Sequence, residues 1–302
     1  MKVLFSIALL FFQMIALSQQ SVIVLGVAQD GGFPHIGCQK ECQLAHKDPD
    51  LSKYVVSLAL VDPQSNKWWL FEASPDLANQ FQLFQELTDH KYPYLPEGIF
   101  LTHAHIGHYT GLMYLGREAF NAKEVSVYAL PRMRAFLSEN DPWSQLLTLK
   151  NIILEPLEKD QKLSLNKEIQ ITTLEVPHRD EFSETAGFRI ETSISSYLFI
   201  PDIDKWEKWD RSIVDETKKV QHAFIDATFF TDGELPNRPM SEVPHPFVSE
   251  TIALFEKELP EVKKKVVFIH LNHTNPLLFN EEKRIEVTEK GYRIAEQGKS
   301  YN

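Results

Sequence analysis

The feature that most constrains this chain is a cluster of three histidines directly after a short apolar run. The segment Phe100–His108 reads FLTHAHIGH, which places His103, His105 and His108 at i, i+2 and i+5. Alternate residues of an extended segment point to the same side, so His103 and His105 can converge on one metal ion. A turn beginning at Gly107 would bring His108 back beside them. The spacing therefore predicts a metal site at the end of a strand rather than a solvated histidine cluster.

Apolar runs separated by turn residues predict a strand-rich fold. The main predicted strands cover residues 21–27, 55–61, 68–71, 99–102, 125–129, 152–154, 169–176, 195–200, 222–226 and 266–269. Helices are predicted over residues 75–87, from 111 towards 118, over 205–220 and over 249–258. A β-rich start followed by βαβ units favours two sheets with helices outside, in a single domain from about residue 20.

Further metal-binding residue types follow other predicted strands. His178 and Asp202 each come after an apolar run, and His270 and His273 follow a later one. Carboxylates and imidazoles are common ligands of divalent metals. His245 lies between two prolines in a predicted loop, from which it could reach the same pocket and donate a proton. These residues are candidates for completing the site.

The HxHxxH string resembles the HxHxDH signature of the metallo-β-lactamase superfamily, and the later histidine and aspartate follow in the family's order. The resemblance implies an αββα sandwich of two mixed β-sheets with helices on the outer faces. The implied metal ligands are His103, His105, His108, His178, Asp202 and His270, with His273 as an alternative to His270. Gly107 stands where the family has the aspartate that serves the second metal. We therefore expect one tightly held ion, with a second ion weak or absent.

Nearly the whole chain after residue 18 resembles one branch of that superfamily, the pyrroloquinoline-quinone biosynthesis protein B group. The strings that carry the resemblance are GGFP at 31–34, FEASPD at 71–76, HAHIGHYTG at 103–111, ET at 184–185, and FIH at 268–270 before TNP at 274–276. The group's proteins are cytoplasmic, whereas this chain begins with an export-like segment. This chain also has more of the superfamily's metal-binding histidines than we expect of that group. We expect an exported relative with its own substrate.

Residues 1–18 have the pattern of a secretory signal peptide. Lys2 precedes a nearly unbroken apolar run, and the segment ends in the small-x-small triplet Ala16-Leu17-Ser18. The run is shorter than the roughly 20 apolar residues of a membrane-spanning helix. The sequence predicts cleavage near Gln19, a periplasmic or extracellular location without stable membrane insertion, and one metallo-β-lactamase-like domain over residues 19–302.

The acidic net charge disfavours nucleic acid as a partner. The chain carries a formal charge of −11 at pH 7, and an acidic surface repels nucleic-acid phosphates. We therefore expect a small-molecule substrate and no nucleic acid. The sequence carries no signal for the oligomeric state.

A second cluster lies near the N-terminus of the predicted domain. If residues 38–46 are helical, Cys38, Cys42 and His46 share one face, with His35 just before it. Four such ligands could hold a structural zinc ion. A disulfide between the two cysteines is the main alternative for an exported protein, and free thiols are the third.

The ligand set predicts a metallohydrolase. A divalent ion with an open position could present a metal-bound hydroxide to a small ester, amide or phosphodiester. Zinc is the expected ion, and iron or manganese would also suit the ligands. The catalytic candidates are Asp202, His245 as proton donor, and Glu72, which would orient a ligand imidazole. Two alternatives remain open: an iron-dependent redox enzyme acting on a quinone-like or aromatic molecule, and a non-catalytic metal- or ligand-binding relative.

Overall fold

Two seven-stranded β-sheets pack face to face, with helices on their outer faces, in the computed structural model. It describes residues 19–235 and 238–302, so the predicted signal peptide lies outside the described residues. The αββα architecture expected from the sequence is confirmed. None of the helices within the described ranges is long and apolar enough to span a bilayer.

The first sheet has the order β14-β1-β2-β3-β4-β5-β6. Its strands are Ser21–Gly26 (β1), Ser57–Asp62 (β2), Lys67–Phe71 (β3), Gly98–Phe100 (β4), Val125–Ala129 (β5), Ile152–Pro156 (β6) and Ser300–Tyr301 (β14). The pairs from β14 to β3 are antiparallel, and those from β3 to β6 are parallel.

The second sheet repeats this division between antiparallel and parallel pairs. Its strands are Lys162–Ser164 (β7), Gln170–Val176 (β8), Thr185–Glu191 (β9), Ser196–Ile200 (β10), His222–Asp226 (β11), Val266–Ile269 (β12) and Arg293–Ile294 (β13). They lie in the order β13-β12-β11-β10-β9-β8-β7. Pairs from β7 to β10 are antiparallel, and pairs from β10 to β13 are parallel.

Short helices cover the outer faces, except the first, which packs against the loop that contains Ala28 and Phe33. They are Gln43–Lys47 (α1), Leu77–Leu87 (α2), Ile106–Tyr109 (α3), Pro131–Glu139 (α4), Trp143–Thr148 (α5), Ile213–Lys218 (α6), Val248–Leu254 (α7), Pro260–Lys263 (α8) and Glu281–Glu289 (α9). The predicted helix over 205–220 is wrong as one element: it is a 3₁₀ turn, Trp206–Lys208, followed by α6. Ser212 caps the new helix by accepting a hydrogen bond from the backbone of Asp215. The predicted helix from 111 is a 3₁₀ segment, Thr110–Leu115.

Strand alternation explains the layers. In β2, Leu58 and Leu60 face the space between the sheets, whereas Ala59 and Val61 face the outer helices. The intersheet core is aromatic: the rings of Phe71 and Phe100 stack with centroids 4.9 Å apart. Burial on both faces accounts for the continuous apolar runs of the central strands.

The sheets position functional residues at one edge. Strands β10, β11 and β12 are parallel, and β8 shares their direction because β9 is antiparallel to both β8 and β10. Their carboxyl ends therefore meet. In the first sheet β3 and β4 are parallel and likewise end together. Such strand ends are the usual position of binding sites in α/β proteins.

Candidate metal centre

Four side chains converge at the strand ends and form a first cluster. Nε2 of His103 lies 2.8 Å from Nδ1 of His105, and Nε2 of His178 lies 3.2 Å from the same Nδ1. Oδ2 of Asp202 lies 3.3 Å from Nε2 of His103 and 3.4 Å from Nε2 of His178. Ligands about 2.0–2.1 Å from a tetrahedral ion are about 3.3 Å from one another. The four atoms therefore fit a divalent metal ion.

A carboxylate and a threonine orient two of the imidazoles. Nδ1 of His103 lies 2.9 Å from Oγ1 of Thr102, whose hydroxyl lies 2.6 Å from Oε1 of Glu72. Nδ1 of His108 lies 3.0 Å from the same carboxylate oxygen. With Nδ1 protonated in both rings, each Nε2 lone pair is available to a metal. Glu72, expected from the sequence to orient a ligand imidazole, contacts His108 directly and reaches His103 through Thr102.

A second cluster contains a residue that the sequence analysis did not identify. Asp30, His108 and His270 each offer a ligand atom within 4.8 Å of the others. Oδ1 of Asp30 lies 3.5 Å from Nε2 of His108, and Oδ2 of Asp202 lies 3.7 Å from that nitrogen. The expectation of a weak or absent second ion depended on the missing carboxylate at Gly107. In the structure, the carboxylate of Asp30, from a distant segment of the chain, lies beside Gly107.

The second sheet orients His270 as the first sheet orients His103. Nδ1 of His270 lies 2.9 Å from Oγ1 of Thr228, whose hydroxyl lies 2.7 Å from Oδ1 of Asp226. A donated hydrogen bond from Nδ1 leaves Nε2 of His270 free. Glu72 and His270 have positive φ angles of 74° and 64°, which are unusual for residues other than glycine. Each directly follows a strand, β3 or β12, and turns towards the site.

Burial keeps three of the imidazoles neutral. Burial lowers the pKa of His103 well below its ordinary value, lowers that of His178 to about 4, and lowers that of His270. A neutral imidazole is the form that binds a metal.

The pKa values of His108 and Asp30 shift in opposite directions. Burial disfavours the charged forms of His108 and Asp30, but Glu72 and Asp30 raise the pKa of His108 well above its ordinary value. Close contact with the protonated His108 in turn lowers the pKa of Asp30, although burial alone would raise it. In the absence of metal these two side chains therefore form an ion pair.

His245 lies against the first cluster, within reach of two carboxylates. Its Nδ1 is 2.9 Å from Oδ2 of Asp226 and 3.2 Å from Oδ1 of Asp202. Against the effect of burial, Asp226 and Asp202 raise the pKa of His245 to about 10. Burial alone would raise the pKa of Asp202, but the charge and hydrogen bond of the protonated His245 hold it well below its usual range. His245 is therefore a protonated side chain at the site.

His273 is not brought to the metal cluster. Its ring stacks on His35 with centroids 4.3 Å apart, and it belongs to none of the converging ligand groups found within the described residues. His270, the first residue after β12, occupies the cluster instead. Of the two late histidines, the structure therefore favours His270 as the ligand candidate.

The predicted structural zinc site is replaced by a disulfide. Cys38 and Cys42 are bonded to each other, with Cα atoms 5.7 Å apart, so neither sulfur is a free thiolate for zinc. His46 Nε2 lies 2.9 Å from the backbone oxygen of Cys38, and His35 stacks on His273. The structure therefore contains the disulfide, which was the alternative expected for an exported protein.

Several site residues had weak sequence signals. Asp226 ends a predicted strand, as Asp202 nearly does, and Thr102 directly precedes the first histidine. The strand-end position of Asp226 and the place of Thr102 beside His103 are the sequence signals that mark these two residues. Asp30 precedes two glycines with no local mark of a ligand, and Thr228 stands alone in a loop. Their roles depend on contacts between distant segments.

The two mixed sheets, the outer helices and the histidine–aspartate cluster at the strand ends together define a metallo-β-lactamase-type fold with a candidate metal site. The family model described as the beta-lactamase superfamily domain matches residues 67–271, and the chain belongs to that superfamily.

Similar proteins support the resemblance to the pyrroloquinoline-quinone group. Coenzyme PQQ synthesis protein B of Rhizobium meliloti is 25% identical over an alignment 307 residues long, gaps included, which covers 93% of this chain and 97% of that protein. Zinc-bound PqqB from Methylobacterium extorquens has a TM-score of 0.75 at 20% identity, covering 93% of this chain and 99% of that one. A diphosphatase from the PhnP family has a TM-score of 0.66 at 19% identity, covering 94% and 98%.

Proposed function

We propose that this protein is a metal-dependent hydrolase of small esters, amides or phosphodiesters. The observation that carries the proposal is the convergence of four ligand atoms, from His103, His105, His178 and Asp202, with the spacing of a tetrahedral site. Zinc is the proposed ion, since imidazole and carboxylate ligands at these distances suit it. A bound divalent ion would activate water and polarise the oxygen of the bond to be cleaved.

His245 is the proposed proton donor. Its Nδ1 faces Asp226 and Asp202, which keep the ring protonated, and its side chain is 5% exposed. The ring centroid lies 5.6 Å from that of His178, beside the first cluster. With Nδ1 committed to the carboxylates, the proton on Nε2 is the one available to a leaving group.

The cavity beside the centre fits a small molecule. Its volume is about 540 Å³. It is lined by Gln29, Asp30, Gly31, His35, Ile36, Ile106, Phe229, Leu235, Arg238, Val243 and Asn272. Because Asp30 belongs to the second cluster, the cavity opens beside the candidate metal centre. Its size and mixed lining match the usual pockets for small ligands.

A guanidinium at the rim favours an anionic substrate. Nη2 of Arg179 lies 3.4 Å from both ring nitrogens of His105, while its Nε lies 3.8 Å from Glu181. Arginine binds phosphate oxygens well because its donors are planar and always charged. Within the proposed range, a phosphodiester is therefore favoured over a neutral ester.

The test combines metal analysis with a hydrolase screen. Protein purified without added metal should contain zinc and should hydrolyse an activated phosphodiester such as bis(p-nitrophenyl) phosphate, and chelator should remove the activity. His178→Ala should abolish turnover, whereas His46→Ala, which removes an exposed histidine, should not. Oxygen-dependent turnover with bound iron would instead establish the redox alternative. Metal binding without any turnover in a broad screen would establish a non-catalytic relative.

We also propose that the mature protein is exported and begins near Gln19. The first support is the pattern of Lys2, an apolar run and the triplet Ala16-Leu17-Ser18, which is typical of a signal peptide. The second is the disulfide, a bond typical of oxidising compartments. Its acidic charge makes a small molecule, not nucleic acid, the proposed partner. N-terminal sequencing of native protein should find a start near Gln19. Native protein that retains Met1 and is recovered from the cytoplasm would contradict export.

A further inference from the structure

We propose that Asp30 takes the place of the carboxylate that Gly107 lacks and completes a second metal site with His108 and His270, sharing Asp202 with the first. The proposal rests on the proposed function only in assuming that the first cluster holds an ion. It assigns a ligand role to a residue that lies far from the histidine motif in sequence.

The space beside Gly107 is already filled by Asp30. A Cβ atom added at Gly107 would lie 2.3 Å from Oδ1 of Asp30 and 2.7 Å from its Cα. Real Cβ atoms essentially never lie within 3.0 Å of such neighbours. The Asp30 carboxylate therefore occupies the volume that a side chain at Gly107 would need, and the absence of that side chain lets the Asp30 loop approach.

Three buried atoms point into this space without a hydrogen-bond partner among the described residues. They are Oδ1 of Asp30, Nε2 of His108 and Nε2 of His270. Buried polar atoms are normally paired, so a convergent unpaired set indicates a missing ligand. The other nitrogen of each ring is committed, to Glu72 for His108 and to Thr228 for His270. Both rings therefore direct Nε2 at the same space, and loss of the His108 proton on metal binding would leave a lone pair on each Nε2.

The loop that carries Asp30 is fixed next to His270. The backbone N–H of Gln29 donates to the carbonyl of Leu271 at 2.9 Å, and the side chain of Asn272 donates to that of Gln29. The N–H of Gly32 closes the turn on the carbonyl of Gln29 at 2.8 Å. These bonds hold the backbone at Asp30 between the segment after β12 and the histidine motif, so its side chain starts close to both.

Asp226 is a poorer ligand although it also lies near His270. Its Oδ1 accepts hydrogen bonds from the backbone and hydroxyl of Thr228. Its Oδ2 accepts one from the backbone of Ile203 and faces Nδ1 of His245. Because both oxygens are committed, Asp226 orients other side chains, and Asp30 is the carboxylate left for the metal.

Asp202 connects the two clusters. Its Oδ2 lies 3.3 Å from Nε2 of His103 in the first cluster and 3.7 Å from Nε2 of His108 in the second. One carboxylate oxygen within reach of ligands from both clusters can bridge two ions, which in two-metal sites are about 3.5–4 Å apart. The geometry thus places the second site directly beside the first.

The test is the number and affinity of zinc ions per chain. Metal-free full-length protein titrated with zinc against a chromophoric chelator should bind two ions. Asp30→Asn, which keeps the side-chain volume, should bind the first ion with wild-type affinity and the second at least about tenfold more weakly. The matched control Asp50→Asn removes an exposed aspartate and should bind two. Circular dichroism of each metal-free variant checks that it is folded.

Variants of the first cluster separate this proposal from the proposed function. One ion in the wild type that is lost in His105→Ala would overturn the second site while leaving the hydrolase proposal intact. Two ions bound with the same affinities in the wild type and in Asp30→Asn would also overturn the role of Asp30. No tightly bound ion in the wild type would overturn the proposed function itself. Two ions in the wild type, with only the second weakened in Asp30→Asn, would support the assignment.

Discussion

Exchanging the carboxylate between two positions tests the proposed replacement most directly. Gly107→Asp places a Cβ 2.3 Å from Oδ1 and 2.7 Å from Cα of Asp30, so the Asp30 loop must shift. Overpacking of this kind costs about 1–3 kcal/mol. Asp30→Gly removes the first of these close approaches but leaves the second, because the Cα remains.

The two substitutions should therefore compensate each other. Asp30→Gly alone should reduce zinc from two ions to one, and Gly107→Asp alone should destabilise the metal-free protein without raising zinc above two. The double variant should regain a second ion and show a favourable coupling energy of about 0.5–3 kcal/mol relative to the sum of the single effects. Urea unfolding of chelator-treated protein gives the free energies without a contribution from bound metal, and mass spectrometry of the metals gives the stoichiometry.

Additive effects would refute the reasoning. If the free-energy changes of the two single variants sum to that of the double variant within about 0.5 kcal/mol, the side chains do not compete for one space. If the double variant also retains only one ion, a carboxylate at position 107 cannot replace the one at position 30. Either outcome would leave the first cluster, and the function proposed from it, untouched.

Three further predictions concern the residues around the ions and the disulfide. Thr102→Val should weaken mainly the first zinc-binding step and Thr228→Val mainly the second, each about 10–100-fold, because each hydroxyl orients a different imidazole; equal effects on both steps would contradict this. Glu72→Gln should weaken both zinc-binding steps, since Glu72 contacts His108 and reaches His103 through Thr102. Weakening of only one step would contradict this shared role of Glu72. Native protein should show no reactive thiol until reduced, and alkylation of unreduced, denatured protein at Cys38 or Cys42 would show that the disulfide is not formed.

Local sequence patterns made the residues of the first cluster candidates, and the family resemblance joined them into one predicted ligand set. Its histidines and Asp202 follow strands whose apolar runs are clear, and the structure places β11 and β12 at the predicted bounds. A strand end fixes both the position and the approximate direction of the residues after it. Where the ligand follows a buried strand within a few residues, the sequence therefore carries most of the information about the site.

Features that depend on distant segments could not be predicted in this way. The approach of Asp30 to Gly107 depends on a loop held by Leu271 and Asn272, which are far away in the chain. Strands β13 and β14 have two residues each and pair only at sheet edges, so they have no periodic pattern to detect. The break in the predicted helix over 205–220 depends on local capping by Ser212 that apolar periodicity does not reveal.

The two sheets contribute matching halves of the centre, which explains why one changed residue in the motif need not remove a site. In the first sheet Glu72 has a positive φ after β3 and acts with Thr102; in the second His270 has a positive φ after β12 and acts with Thr228. Such backbone conformations cost about 1–3 kcal/mol each and persist where surrounding contacts enforce them. The frame that orients the imidazoles is therefore built by both sheets, independently of position 107. In the proposed second site, a carboxylate from a loop that reaches the frame completes it, and among the described residues Asp30 offers an uncommitted carboxylate oxygen there.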